Sequence, residues 1–201
     1  MKILNFNTFS FLKSFSSVKD INIHFGSEIA LIGYSNTGKS TLINVLSNKK
    51  KMSRVSKYPG STQLINFFTL NNGFRFIDLP GYGYSKFSKK VKLKWINEVK
   101  KYLLSRIFLI GVIILVDINF FFKKIDLEII KLLKKKKINI IILLNKSDKI
   151  NNSLKKEKYL IAKKKLLSLN IKAKILIFSS FKKIGILKLK KIINNLYINF
   201  I

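Results

Sequence analysis

Residues 33–40 of this 201-residue chain read Gly33-Tyr34-Ser35-Asn36-Thr37-Gly38-Lys39-Ser40, which fits the pattern G-x-x-x-x-G-K-[S/T]. An apolar run over residues 28–32 predicts a buried strand before this stretch, and residues 40–46 predict the beginning of a helix after it. A loop between a strand and a helix can turn its backbone N–H groups toward an anion at the positive end of the helix. The stretch therefore predicts a phosphate-binding loop in an α/β fold, and we count Thr41, the next residue, among the predicted nucleotide contacts.

Three residue types in this loop have chemical roles. The glycines at positions 33 and 38 allow backbone angles that a side chain would forbid. Lys39 can reach the β- and γ-phosphates of a nucleoside triphosphate, and the Ser40 hydroxyl can ligate Mg²⁺. The loop by itself does not distinguish ATP from GTP, so other motifs must identify the base.

Composition argues against several classes of protein. The chain has no cysteine, which excludes disulfide bonds and thiolate metal sites and favours a cytoplasmic protein. The longest apolar run, residues 107–116, is shorter than the roughly 20 residues that a membrane-spanning helix needs, and residues 1–5 lack a secretory signal pattern. His24 is the only histidine, so we expect it to be solvated or to cap an element rather than to bind zinc. We expect one domain over residues 1–201 that acts as a monomer without a membrane.

The net charge of +31 allows two interpretations. Lysine supplies nearly all of it, since Arg54, Arg75 and Arg106 are the only arginines. A surplus of cations favours contact with nucleic-acid phosphates. The same lysines can reflect codon bias, because asparagine, isoleucine and phenylalanine, which share A- and T-rich codons with lysine, are abundant too. The two interpretations are compatible and both stay open.

The hydrophobic pattern predicts strands that alternate with helices, and hence a three-layer α/β fold with a mostly parallel sheet. One strand is expected to be antiparallel, because residues 64–70 and 74–78 flank the tight-turn signal at residues 71–73. We expect an irregular lead-in over residues 1–27, with an edge strand and four aromatic side chains on the core: Phe6, Phe9, Phe11 and Phe15. The remaining predicted strands are residues 111–117, 138–144 and 173–178, and the remaining predicted helices are residues 88–106, 124–136, 153–169 and 184–198.

Two further motifs point to a guanine nucleotide. Asn145-Lys146-Ser147-Asp148 fits the N/T-K-x-D pattern of guanine-binding loops. Asp148 can accept hydrogen bonds from guanine N1 and the 2-amino group, a donor pair that adenine lacks. Asn145 is expected to tie this loop to the phosphate loop, and the stem of Lys146 to lie over the base. A backbone N–H from the second motif is expected to contact guanine O6, and this motif comprises Phe178, Ser179 and Ser180.

The segment Asp78-Leu79-Pro80-Gly81 follows another predicted strand. An aspartate there can hold Mg²⁺ through water, and the Gly81 N–H can meet the γ-phosphate. Because the loops at the carboxyl ends of parallel strands meet at one edge of a sheet, all of these motifs are expected to form one site.

With these motifs, the chain resembles the EngB family of bacterial ribosome-assembly GTPases over residues 18–195. The matching stretches are residues 33–40, 59–68, 78–84 and 145–148. The resemblance implies a Ras-like GTPase fold, bound Mg²⁺ and a role in assembling the large ribosomal subunit or binding its RNA. It also implies that Thr62, with Gly60 and Ser61 before it, meets Mg²⁺ and the γ-phosphate when GTP is bound.

The chain departs from the family pattern at four places. The family usually has arginine at position 34, a basic residue at 61, and threonine at 145, and it tends to an arginine and prolines within residues 118–122. Here these positions hold Tyr34, Ser61, Asn145 and an aromatic segment. The lost basic groups are expected to weaken RNA or partner contacts near the switch segments, residues 49–63 and 79–90, while the nucleotide ligands are unchanged.

Catalysis is expected to depend on Lys39, Thr62 and Gly81. Tyr82 stands where many GTPases have a water-positioning glutamine, and no arginine finger is evident in the chain. We therefore expect slow GTP hydrolysis that the ribosome stimulates. Asn36 lies where related potassium-activated GTPases bind K⁺, so it can hold a potassium ion or shape the loop through a hydrogen bond.

The resulting hypothesis is a switch in which GTP orders residues 49–63 and 79–90 and hydrolysis releases them. An alternative is a basic RNA-binding assembly protein whose nucleotide site hardly turns over. A third possibility, an ATP-dependent kinase, is disfavoured by Asn145 and Asp148.

Overall fold

The computed structural model of the protein describes residues 3–53, 64–82 and 88–200. The described part contains one seven-stranded sheet and five α-helices. The strands are β1 (Ser10–Phe15), β2 (Ser27–Gly33), β3 (Ile65–Thr69), β4 (Phe74–Asp78), β5 (Leu109–Asp117), β6 (Asn139–Asn145) and β7 (Lys174–Ile177). The helices are α1 (Lys39–Leu46), α2 (Lys89–Ser105), α3 (Lys124–Lys135), α4 (Asn152–Ser168) and α5 (Ile186–Ile198).

The strand order across the sheet is β1-β3-β4-β2-β5-β6-β7. Strand β3 runs opposite to both of its neighbours, and the other described pairs are parallel. This confirms the predicted three-layer fold with one antiparallel strand. Strands β2 and β5 are buried along their whole length, as expected for central strands covered by helices on both faces.

Two hydrophobic cores lie on opposite faces of the sheet. Helices α2, α3 and α4 pack on one face, and α1 and α5 pack on the other. Alternate residues of β5 point to the two faces, with Val112 and Ile114 in the first core and Ile113 and Leu115 in the second. None of the helices in the described ranges combines the length and apolar character that a bilayer crossing requires.

The turn between β3 and β4 has the predicted tight geometry, because Asn72 and Gly73 both have positive φ angles, of 61° and 69°. The lead-in supplies the edge strand β1, and Phe6, Phe9 and Phe15 are buried as expected. The prediction that Phe11 packs on the core is wrong, since its side chain is 53% exposed. Phe11 lies on the edge strand, where its ring meets only the edge of Phe68 among the aromatic contacts of the described residues.

A buried ionic cluster lies at the amino end of β2, far along the sheet from residue 33. Glu28 is fully buried and accepts hydrogen bonds from Tyr102 Oη at 2.6 Å and Arg106 Nε at 3.0 Å. Arg75 Nη2 lies 3.4 Å from the same carboxylate. The sequence analysis did not anticipate this cluster, which uses two of the three arginines of the chain.

Candidate functional site

The predicted motifs meet at the carboxyl edge of the sheet. The phosphate loop follows β2, Asp78 ends β4, and Asn145 ends β6. The three-residue segment 178–180 begins directly after β7. Ligands bind at this edge in open α/β sheets, so the fold brings the predicted motifs to the position where a nucleotide would lie.

The phosphate loop requires glycine at both of its ends. Gly33 has φ 153°, and a Cβ there would lie 2.5 Å from the Leu115 carbonyl oxygen. Gly38 has φ 102°, and a Cβ there would lie 2.5 Å from Asn145 Nδ2. Larger residues would therefore push the loop away from β5 and from the guanine motif.

The loop is held by contacts of its own side chains. Thr37 Oγ1 donates to the Tyr34 carbonyl at 2.7 Å, and Ser35 Oγ donates to the Tyr82 carbonyl at 3.2 Å. Asn36 stands exposed at the tip with φ 62°. Ser40 follows Lys39 in the first turn of α1, and Thr41 lines the adjoining cleft.

Lys39 and Asp78 are buried groups of opposite charge beneath the loop. The Lys39 side chain is 8% exposed, and its Nζ donates to the Gly33 carbonyl at 3.3 Å. Burial lowers the pKa of Lys39, although the nearby Asp78 opposes this shift. Burial raises the pKa of Asp78 to about 6, and the charge of Lys39 only partly offsets it.

The Asp78 carboxylate fits the predicted magnesium site. Both of its oxygens are buried, and neither has a hydrogen-bond partner in the described part of the chain. A buried acceptor without a partner is costly, so a hydrated cation is the kind of group that this carboxylate lacks. The Ser40 hydroxyl would be an oxygen ligand of the kind that Mg²⁺ prefers, and Asp78 would hold the ion through water.

Because of this burial, Asp78→Asn is expected to stabilise the ligand-free protein. The folded-state pKa of about 6 lies above the usual value of 3.8, so the folded protein holds a proton between these pH values that the unfolded chain has lost. Stability therefore falls as pH rises through this window. We expect the variant to be more stable than wild type by about 3 kcal/mol at pH 7.5, and this difference to nearly disappear near pH 4.

Urea unfolding at pH 4, 5, 6 and 7.5, without nucleotide or Mg²⁺, measures this difference. Glu157→Gln, an acid-to-amide change at an exposed site, is the control and should change little at any of these pH values. An Asp78→Asn protein that is less stable than wild type at pH 7.5 would contradict the prediction.

Asn145 connects the guanine motif with two other loops. Its Nδ2 donates to the Thr37 carbonyl of the phosphate loop at 2.7 Å. Its Oδ1 accepts from the Ser180 N–H at 3.0 Å. Ser147 lies fully buried behind it, with its N–H donating to the Phe178 carbonyl at 3.0 Å. The expected tie between Asn145 and the phosphate loop is present.

A cleft of about 390 Å³ opens beside this junction, and Asp148 and Lys146 line it. Asp148 accepts a hydrogen bond from Ser179 Oγ. Lys146 Nζ lies 2.8 Å from Asp117 Oδ2, so the lysine stem is anchored at its charged end. Sequence reasoning missed Asp117, although its place at the carboxyl end of β5 was a signal that could have identified it.

Backbone hydrogen bonds hold the segment 178–180 in place. Phe178 is fully buried and its N–H donates to the Leu144 carbonyl at 3.0 Å, so it supports the loop and does not face the cleft. The N–H of Ser179 donates to the Ile184 carbonyl at 3.2 Å, and that of Ser180 donates to Asn145. The expected contact with guanine O6 therefore needs the Ser180 N–H to be shared with the Asn145 oxygen.

The Tyr82 side chain points away from the side of the phosphate loop on which a nucleotide would bind. Its hydroxyl donates to Asp126 Oδ1, and its ring packs edge-on against Tyr34 with centroids 5.0 Å apart. Asp126 also accepts from the Lys123 N–H at 2.8 Å and so caps α3. Burial raises the pKa of the Tyr82 phenol well above its usual value, and the negative charge of Asp126 raises it further. The sequence analysis did not identify Asp126.

The segment before Tyr82 is buried. The Leu79 N–H donates to the Leu31 carbonyl at 3.2 Å, which continues the pairing of β4 with β2. Pro80 and Gly81 follow it as buried residues beside the phosphate loop. The predicted contacts of Gly60, Ser61 and Thr62 lie outside the described residues.

Comparisons with known proteins agree with this geometry. The family model described as 50S ribosome-binding GTPase matches residues 28–146. The probable GTP-binding protein EngB of Buchnera aphidicola subsp. Acyrthosiphon pisum is 49% identical over 197 residues, which cover 98% of this chain and 96% of the relative. Its counterpart from Klebsiella pneumoniae subsp. pneumoniae is 36% identical over 187 residues, covering 93% and 89%. A crystal structure of a probable GTP-binding protein engB has a TM-score of 0.67 and 25% identity, covering 86% of this chain and 100% of that one.

The fold, the converging loops and these matches define a P-loop GTPase, a class of GTP-binding proteins. Within that class the relatives cover nearly the whole chain at 36–49% identity. The chain belongs to the EngB family of GTP-binding proteins, which confirms the resemblance seen in the sequence.

Proposed function

We propose that the protein binds GTP with Mg²⁺, hydrolyses it slowly, and acts as a GTP-dependent switch in assembly of the large ribosomal subunit. The observation on which this rests is the convergence of three groups at the carboxyl edge of the sheet. These are the phosphate loop, the unpaired carboxylate of Asp78, and the guanine motif that Asn145 holds against the loop. The family description, 50S ribosome-binding GTPase, and the net charge of +31 support the ribosomal partner.

The residues of the site suit binding and positioning of the nucleotide. Lys39 would exchange its contact with the Gly33 carbonyl for the β- and γ-phosphates, and Ser40 and Asp78 would hold Mg²⁺. The metal, when bound, supplies positive charge to the phosphate oxygens. Asp148 would accept hydrogen bonds from the guanine edge. Asn145 would hold the guanine-binding loop against the phosphate loop through its hydrogen bond to Thr37.

Slow intrinsic hydrolysis follows from what the site lacks in the described ranges. The Tyr82 hydroxyl is engaged with Asp126, so the phenol does not occupy the position of a water-orienting side chain. Arg75 and Arg106 are bound to Glu28 at the other end of β2, so neither can serve as an arginine finger. The third arginine, Arg54, lies outside the described residues, and we propose that the stimulating group comes from the partner.

Turnover of GTP with and without purified ribosomal subunits tests the proposal. We expect slow turnover alone, and stimulation of more than about tenfold by large subunits but not by small subunits. Lys39→Ala, which removes the cation under the phosphates, sets the background. Turnover no higher than this background, with or without large subunits, would favour the alternative of a basic RNA-binding protein that hardly hydrolyses GTP. Displacement of labelled GTP by equimolar ATP would instead favour a kinase.

We also propose that a potassium ion binds at Asn36. The Asn36 side chain is exposed at the loop tip, lines the cleft, and has no hydrogen bond to another residue in the described ranges. A K⁺ ion there would place positive charge beside the phosphates, where charge develops in the transition state. We expect turnover in KCl to exceed that in NaCl by roughly tenfold, and Asn36→Ala to remove this preference. Equal rates of the wild-type protein in the two salts would refute the potassium site.

A further inference from the structure

Phe181 is an exposed aromatic residue on the wall of the cleft that contains Asp148. Its side chain is 79% exposed, although phenylalanine is usually buried. The same cleft is lined by Asp148, Lys146 and Asn145, and its volume of about 390 Å³ is ample for a purine base. An apolar ring that borders a ligand cleft and has almost no cover from its own chain is suited to contact a flat ligand.

The turn that presents Phe181 is firmly held. Ser179 and Ile184 exchange two backbone hydrogen bonds, at 3.2 and 3.0 Å. Ser179 Oγ accepts from the Lys182 N–H at 3.0 Å, and the Ser180 N–H is bound to Asn145. The backbone on both sides of Phe181 is therefore fixed relative to the guanine motif, and little ordering would be needed when a ligand binds.

Lys146 provides another wall of the cleft. Its backbone has φ 63°, and its ammonium group is bound to Asp117 at 2.8 Å, so the aliphatic stem is stretched between two fixed points. Asp148, two residues later, lines the same cleft, so its carboxylate would meet the polar edge of a base bound there. A planar base would thus have a carboxylate at its edge and apolar surfaces for its faces.

We propose that the ring of Phe181 stacks on the guanine base and contributes affinity that does not depend on which purine is bound. This inference rests on the proposed placement of the base in the Asp148 cleft. Stacking on an aromatic ring uses the π-face that every base has, whereas Asp148 reads groups that only guanine offers. The two residues therefore divide the task, with Phe181 adding affinity and Asp148 adding selectivity.

Phe120 is the competing aromatic residue. It is 71% exposed and lines a separate depression of about 210 Å³ with Tyr34, Lys123 and Asp126. That depression also reaches Asn36 and Lys146, but it does not include Asp148. Phe120→Ala is therefore a matched control, because it removes a similarly exposed ring near the same loop without touching the proposed stack.

Titration calorimetry with GDP and inosine diphosphate tests the assignment. We expect Phe181→Ala to weaken both nucleotides by about tenfold and by the same factor, and Phe120→Ala to leave both affinities unchanged. The thermal midpoint of unfolding without nucleotide should be the same in all three proteins, since neither ring is buried. An unchanged affinity in Phe181→Ala, or a loss in Phe120→Ala instead, would overturn the proposal.

A fluorescence measurement gives an independent readout. In a Trp95→Phe background, Phe181→Trp places the only tryptophan of the chain at the proposed stack. We expect this protein to retain GDP affinity and to show quenching on titration with GDP but not with ribose 5-phosphate. Binding of GDP without any change in emission would overturn the stack. If the wild-type protein itself binds no GDP, the proposed function fails instead, so the two failures are distinguishable.

Discussion

Asp148→Asn is expected to lower the affinity for GDP by at least about 100-fold and to raise the affinity for xanthosine diphosphate. The carboxylate would accept two hydrogen bonds from guanine N1 and the 2-amino group, and each charge-assisted bond contributes about 1.5–3 kcal/mol. An amide in its place offers one donor toward the base, which xanthine can accept at its 2-oxo group. Competition of labelled GDP by unlabelled GDP and xanthosine diphosphate measures the exchange of specificity.

The control for this change is Glu157→Gln, the same acid-to-amide replacement on the exposed side of α4. It should leave both affinities unaltered. If Asp148→Asn keeps the preference of the wild-type protein for guanine, the carboxylate does not read the base. The cleft at the ends of β6 and β7 would then have to bind another part of the nucleotide.

Glu28→Ala is expected to lower the free energy of unfolding by about 3–5 kcal/mol, because it leaves two guanidinium groups with no counter-charge in the core. Arg75 is 2% exposed and Arg106 is 9% exposed, and both are bound to the lost carboxylate. Tyr102 would lose its partner at 2.6 Å as well. Urea denaturation followed by circular dichroism, without nucleotide, measures the change.

Glu128→Ala is the matched control for Glu28→Ala. Glu128 pairs with Lys100 at 3.3 Å, but their side chains are 45% and 34% exposed, so solvent screens the pair. Its loss should cost less than about 1 kcal/mol. Similar costs for the two replacements would mean that the buried cluster contributes no more than a surface pair, which would contradict the argument from burial.

Much of the fold follows from local patterns. Apolar runs separated by polar, lysine-rich segments predicted the order of strands and helices, and the structure has the elements within a few residues of the predicted bounds. The tight turn at residues 71–73 predicted the antiparallel pairing of β3 with β4. These features depend on residues close together in the chain, whose backbone preferences and spacing are visible without a structure.

The sequence did not show the contacts between distant segments. Phe178 looked like part of the ligand loop, but its side chain belongs to the core and its N–H to β6. Tyr82 occupies the position of a catalytic glutamine, but a carboxylate 44 residues later accepts its hydroxyl. Neither outcome can be read from spacing, because each depends on which side chain the fold brings alongside.

The sequence alone therefore determined the phosphate loop, the guanine motif and the α/β order, since each is a short run with its own chemistry. It also placed the chain in its family. The tertiary structure decided which groups hold these runs in position: Asp117 on Lys146, Asn145 on Thr37, and Asp126 on Tyr82. It also decided that two arginines serve the core and not a partner. The physical reason is that burial and pairing of polar groups are properties of the packed molecule, and only the packed molecule shows which carboxylate meets which donor.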